Sequence, residues 1–186
     1  MTDAFFTLYR GLDREGPGEP ADVAWVAEVV GLKPDARICD AGCGSGADVP
    51  ALLAAAPLGR VVAVDSHKPF IDELWVRVGP DPRVTAYKGN MAKLKGPFDL
   101  IWSAGALYFL GVTEGLRHWR PALAKGGHVA FSEPCWFSAA PSDAARAFWE
   151  TEYPAITDAE GIDGRVQAAG FETVAVRRGW DEAWEA

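Results

Sequence analysis

The stretch Asp40-Ala41-Gly42-Cys43-Gly44-Ser45-Gly46 follows directly on the apolar run Ala36-Arg37-Ile38-Cys39. This junction constrains the chain more than any other. Three glycines at alternate positions remove Cβ atoms from the backbone, so the chain can turn sharply and a ligand can approach it closely. The acidic side chain two positions before the first glycine still belongs to the end of a strand. A glycine turn at that place leads from strand to helix, although by itself it does not demand a ligand.

The remainder of the chain alternates in the same manner. Strands are predicted over Arg37–Ala41, Val61–Asp65, Val84–Lys88, Phe98–Ser103, His128–Ser132 and Thr173–Arg177. All are short, rich in Val, Ile, Phe or Trp, and bounded by Gly, Pro or Asp. Helical spacing links Val49, Leu52, Leu53 and Ala56 before Pro57, and Ile71, Leu74, Trp75 and Val78 before Gly79-Pro80. A third stripe, Leu116, Trp119 and Leu123, ends at Gly126-Gly127, and Thr157 with Glu160 has capping-box spacing ahead of a helix that stops at Gly170. Near-continuous apolar strands between amphipathic helices specify a parallel sheet covered on both faces. The expected fold is α/β, a three-layer Rossmann-like doubly wound sheet, mostly parallel and of about six strands. It forms a single domain over residues 1–186, with no repeat or linker to divide it. Residues 1–20 are expected to form a loop able to close as a lid, and residues 137–160 a substrate cap.

Charge and cysteine usage narrow the function. The net charge is −8, and Arg177-Arg178 is the only basic cluster. Duplex nucleic acid demands phosphate neutralisation, so no nucleic-acid partner is expected. No apolar run approaches the roughly 20 residues that span a bilayer, and the N-terminus lacks the pattern of a signal peptide. A cytoplasmic location without membrane contact is the expectation. Cys39, Cys43 and Cys135 include no Cys-x-x-Cys pair, which argues against a disulfide framework or a zinc site. Cys39 reads as strand packing and Cys43 as a small filler of the glycine loop.

The strand ends carry matching chemistry. Asp40 beside the glycines suits a ligand that bears a positive charge and a nucleoside, and S-adenosylmethionine fits that description. Nicotinamide enzymes use G-x-G-x-x-G, whereas this chain has G-x-G-x-G. Asp65, 19 residues beyond Gly46 and followed by Ser66, can accept hydrogen bonds from both ribose hydroxyls. Asn90 stands where a polar side chain can reach an adenine amino group while the N–H of Met91 meets a ring nitrogen. Asp99 reads as structural, and Ser103 to Tyr108 would floor the pocket.

On Asp40-Ala-Gly-Cys-Gly-Ser-Gly46, Asp65, Gly89-Asn90-Met91, Phe98-Asp99-Leu-Ile-Trp102 and Leu123-Ala-Lys-Gly-Gly127, the chain resembles the class I S-adenosylmethionine-dependent methyltransferases. The resemblance covers roughly residues 20 to 180. The segments Gly11-Leu12-Asp13-Arg14-Glu15-Gly16-Pro17-Gly18 and Phe148-Trp149-Glu150-Thr151-Glu152-Tyr153-Pro154 look like those of a small-molecule subgroup. It implies that Gly42, Gly44 and Gly46 cradle the methionine portion and ribose, that Asp40 lies near the methionine amino group, and that Asp65 binds the ribose. Asn90 stands where many relatives have aspartate, which implies weaker adenine recognition. Relatives usually end in a hairpin whose seventh, antiparallel strand inserts beside the fifth. That strand is not evident here, so a homodimer through the sheet edge, or a compensating helix, is expected.

Methyl transfer is an in-line displacement that alignment and water exclusion can drive, with a base needed only when the acceptor must lose a proton. His67 and Tyr108 are the candidate catalytic side chains, while His118 and His128 read as structural. Arg14, Tyr108, Trp136, Trp149 and Tyr153 are candidates for contact with a small-molecule acceptor, and Trp102 also reads as facing the pocket. Arg14 and Glu15 would belong to the lid. Two other readings stay open from sequence: a nicotinamide-dependent oxidoreductase, and a cofactor-binding partner subunit without catalysis.

Overall fold

The computed structural model describes Leu12, Arg14, Gly16 and residues 18–179. Glu15, most of the expected lid and the segment after Gly179 lie outside the described residues. The chain opens with α1 (Pro20–Val29), then β1 (Arg37–Ala41), α2 (Val49–Ala55), β2 (Arg60–Asp65), α3 (Lys68–Val78), β3 (Val84–Lys88) and β4 (Phe98–Ser103). There follow α4 (Val112–Trp119), β5 (Leu123–Phe131), β6 (Cys135–Trp136), α5 (Asp143–Glu152), β7 (Thr157–Asp158) and α6 (Ala159–Ala168). The main sheet has five parallel strands in the order β3-β2-β1-β4-β5, while β6 and β7 form a separate parallel pair.

Each central strand is buried on both faces, and the two faces carry two cores. Ile38, Val61 and Leu100 point toward Val23 of α1, Leu52 of α2 and Leu74 of α3. Cys39, Val64 and Ile101 point the other way, toward Leu116 and Trp119 of α4 and Val166 of α6. Alternate residues of one strand thus enter opposite layers, which is why the strands read as unbroken apolar runs. The fully buried Trp119 donates its indole N–H to the Met91 carbonyl at 2.7 Å, fixing α4 to the turn after β3.

The structure corrects three element boundaries. The stripe through Leu116, Trp119 and Leu123 is not one helix: Pro121 stops α4 at Trp119, a 3-10 turn covers Arg120–Ala122, and Leu123 begins β5. Gly126-Gly127 is therefore no helix stop. The register jumps from Phe98↔Leu123 to Leu100↔His128, and the glycines lie in that irregularity, where Gly126 adopts φ +76° and a Cβ on Gly127 would stand 2.7 Å from the Phe98 carbonyl. The N-cap of α6 is Asp158, whose carboxylate accepts the Gly161 N–H at 2.8 Å, while Thr157 pairs in β7.

Thr173–Arg177 forms no strand among the described residues, so the main sheet has five strands instead of six. Side-chain anchors hold this segment to the described body. The Thr173 hydroxyl donates to Asp163 of α6, and Arg177 pairs with Asp22 of α1 and lies over the Trp25 ring at 5.3 Å. Val174 and Val176 face solvent. No helix of the described residues is long and apolar enough to cross a membrane.

Candidate active site

Strand order reverses between β1 and β4, and in a doubly wound sheet the crevice beyond that reversal is where ligands settle. A cavity of about 670 Å³ occupies it here, bounded by the carboxyl ends of β1 to β4. Small-molecule sites typically measure about 300–1,000 Å³.

The β1 end contributes Asp40, only 3% exposed, and the glycine loop. Gly42 and Gly44 line the cavity at φ +77° and +50°, conformations that L side chains rarely adopt. A Cβ on Gly42 would lie 2.3 Å from the Ala106 Cβ, so its absence lets the β1 and β4 ends close together. Gly46 has a different task. It does not border the cavity, and a Cβ there would lie 2.5 Å from Leu74 Cγ, so this glycine lets the loop pack on α3.

Asp65 organises the loop from the β2 end. Its Oδ2 accepts the Gly44 N–H at 3.1 Å and its Oδ1 accepts the His67 N–H at 2.7 Å. Each carboxylate oxygen keeps a further acceptor site, and Asp65 and Ser66 both border the cavity. Asn90 and Met91 border it from the β3 end. The Asn90 Oδ1 already accepts the Ala92 N–H at 2.8 Å, capping the turn Met91–Lys93. Tyr108, in the turn Leu107–Phe109 after β4, forms part of the far wall.

Cys43 lines the cavity, but burial, with the charges of Asp40 and Asp65, pushes its thiol up. A thiol so held is a poor nucleophile, in keeping with a filler. Arg14 borders the cavity and bonds through both terminal nitrogens to Asp48, with Nη1 at 3.1 Å from Oδ2. Burial pulls the Arg14 guanidinium down, yet Asp48, Asp40 and Asp22 outweigh that and raise it. Arg14 thus compensates Asp48, and the cavity wall as a whole carries the three carboxylates of Asp40, Asp48 and Asp65 against the two cations of Arg14 and Lys88, a balance that suits a cationic ligand.

Several expected residues stand elsewhere. Ser103 is buried and donates to the Ala41 carbonyl at 2.8 Å, joining β4 to β1 below the cavity. Trp102 lies in the core, where its indole N–H bonds Asp48 Oδ2 at 2.9 Å. His67 is the N-cap residue of α3, with its ring edge-on to Phe70 at 4.8 Å, and it does not line the cavity. Trp136 in β6 and Trp149 in α5 are half-buried and also lie off the cavity wall. Tyr153 is 7% exposed and lies off the cavity wall, its ring 5.6 Å between centroids from that of the lining residue Tyr108. Sequence reasoning passed over Asp48, although a carboxylate two residues beyond the glycine loop is the kind of signal that marks a site. It also passed over Glu133, whose setting no local motif reveals.

Residues 38–127 match the family described as a methyltransferase domain, a span that runs from β1 into β5 and holds all four strand ends around the cavity. Trans-aconitate 2-methyltransferase of Deinococcus radiodurans is 31% identical over 104 residues, covering 55% of this chain and 39% of that protein. An uncharacterised transposon protein of Streptomyces fradiae is 28% identical over 116 residues, covering 60% of this chain and 34% of that protein. The chain thus aligns with little more than a third of these curated relatives' length. A methyltransferase from Geobacter sulfurreducens, solved with S-adenosylhomocysteine, superposes with a TM-score of 0.82 at 20% identity, covering 99% of this chain and 77% of that one. This likeness carries the fold. The domain match lies on the strands that build the cavity, and nearly the whole chain shares the fold of that S-adenosylmethionine-dependent methyltransferase.

Proposed function

We propose that this protein binds S-adenosylmethionine and transfers its methyl group to a small-molecule acceptor. The observation that carries the reading is the convergence of Asp40, Asp65 and the Gly42–Gly44 backbone on one cavity at the strand-order reversal. In this reading Asp40 faces the methionine ammonium and Asp65 accepts the ribose hydroxyls, with Ser66 beside it. Asn90 and Met91 meet the adenine edge, Asn90 with its NH₂ group and with the remaining lone pair of the oxygen that also caps a turn. Gly46 and Ser103 support the loop and strand from behind. Bound there, the cofactor supplies an electrophilic methyl group on a sulfonium, and the residues around it need only align the acceptor and exclude water.

Tyr108 is the side chain offered to the acceptor, with Arg14 covering the opposite rim. The segment from β6 to β7 acts as the cap. His67, off the cavity wall, has no part as a base in this reading. A small acceptor agrees with the acid named for the Deinococcus relative. Three cysteines without a disulfide fit the reducing cytoplasm.

Calorimetric titration tests the assignment. S-adenosylhomocysteine should bind one molecule per chain while NAD gives no heat. The reverse pattern would return the fold to the oxidoreductases. Binding without turnover across an acceptor panel that includes trans-aconitate would favour a partner subunit over an enzyme.

A further inference from the structure

Glu133 lies two residues beyond the end of β5, next to Ser132, whose hydroxyl accepts the N–H of the cavity-wall residue Gly105 at 2.8 Å. Its Oε1 accepts the Tyr153 hydroxyl at 2.5 Å, while its Oε2 is buried with no hydrogen-bond partner. Tyr153 ends α5, and its ring faces Tyr108 on the cavity wall. Arg165 of α6 approaches the same hydroxyl at 3.5 Å and donates to the Ala155 carbonyl at 2.5 Å. Helix α5 itself has no buried residue, and β6 and β7 pair over two residues only. The buried Glu133–Tyr153 contact therefore shares the hold on the segment Cys135–Asp158 with a few exposed ones, the Arg165 bond to the Ala155 carbonyl and Arg178 over the Phe137 ring at 4.3 Å.

We propose that Glu133 is a positioning residue that latches this cap onto the cavity through Tyr153, the neutral carboxyl closing the latch and the carboxylate loosening it. The proton belongs on Oε2, where a carboxylate charge would be buried without a hydrogen bond. Calling the latched wall the acceptor side rests on the methyltransferase reading; the latch itself does not.

The groups that face Glu133 leave it as the one to titrate. Tyr153, pushed up to about 12 by burial and by Glu133, stays a donor. The Cys135 thiol of β6 is pushed up by burial, Glu133 and Asp158, against Arg178. Arg165 sets its guanidinium beside the same hydroxyl. Burial raises Glu133 further than the Tyr153 hydrogen bond and Arg165 lower it. A carboxyl held above its ordinary value contributes its full stabilisation below the value of an exposed carboxylate and loses it as pH rises through its own folded value. The cap is therefore tight in acid and loosens as Glu133 ionises.

Hydrogen-exchange mass spectrometry on the full chain, corrected for intrinsic exchange and followed from the range of an exposed carboxylate, about pH 4, up to about pH 8.5, tests the latch. Protection of peptides over residues 143–158 should fall roughly threefold to tenfold with rising pH. Glu133→Gln, which keeps an acceptor for Tyr153 without a charge, should hold the low-pH protection throughout. Tyr153→Phe should remove the pH dependence by leaving the cap loose at every pH. Flat protection in the wild type, or a Glu133→Gln profile that tracks it, would overturn the proposal. S-adenosylhomocysteine titration of the same samples separates the two readings. A working latch without that binding removes the cofactor assignment alone, and binding with pH-flat exchange removes the latch alone.

Discussion

The glycines of the loop after β1 are not interchangeable, and their differences lie in what a single Cβ would strike. Gly42 and Gly44 turn the backbone toward the cavity, whereas Gly46 gives Leu74 of α3 the space it fills. Gly46→Ala must place a side chain at φ +81°, a strain of about 1–2 kcal/mol, and force Leu74 aside for about 1–3 kcal/mol more. Thermal unfolding should show the melting temperature lowered by several degrees, at about 2–4 °C per kcal/mol for a chain of this size. S-adenosylhomocysteine affinity per folded molecule should hold; a loss of affinity without a loss of stability would return Gly46 to the ligand. At this scale the sequence disclosed which residues reach the strand ends, because Asp40, Asp65 and Asn90 lie at or just beyond the ends of predicted strands. It did not disclose that Trp102 turns into the core toward Asp48 and that Ser103 bonds Ala41, since the facing of a side chain is set by pairing register.

Element boundaries followed local chemistry where that chemistry was unambiguous. Gly79 and Gly170 end α3 and α6 near φ +70° to +80°, and after α6 the Phe171 N–H bonds back to the Val166 carbonyl at 3.1 Å. The start of α6 was ambiguous because Thr157 and Asp158 are both good caps and stand side by side. Pairing of Thr157 with Cys135 in the β6–β7 ladder resolved it in favour of Asp158. Asp158→Ala should cost about 0.5–2 kcal/mol in urea unfolding, as removal of an N-cap does. Thr157→Ala should cost less, and the opposite order would restore the capping box read from sequence. The bulge in β5 was illegible for a similar reason. A Gly-Gly pair after an apolar stripe reads as a helix end until Pro121 and the pairing with β4 place it inside a strand.

Across the whole molecule, helices cover both faces of the sheet, yet β5 stands at its outer edge among the described residues with no strand beside it. Native proteins rarely leave such an edge bare, and we propose a second copy of this chain as its cover. Sedimentation equilibrium should then report twice the mass of one chain, and a mass of one chain at high concentration would remove the idea. The alternation of strand and helix, the strand-end carboxylates and the glycine loop were determined by sequence alone. Each depends on periodicities and turn residues that act within a few positions of one another. The tertiary structure alone decided which glycine faces the cavity, that Asp163 and Asp22 anchor Thr173–Arg177, and that Glu133 meets Tyr153. These contacts join residues 10 to 155 positions apart, and only packing brings such partners together.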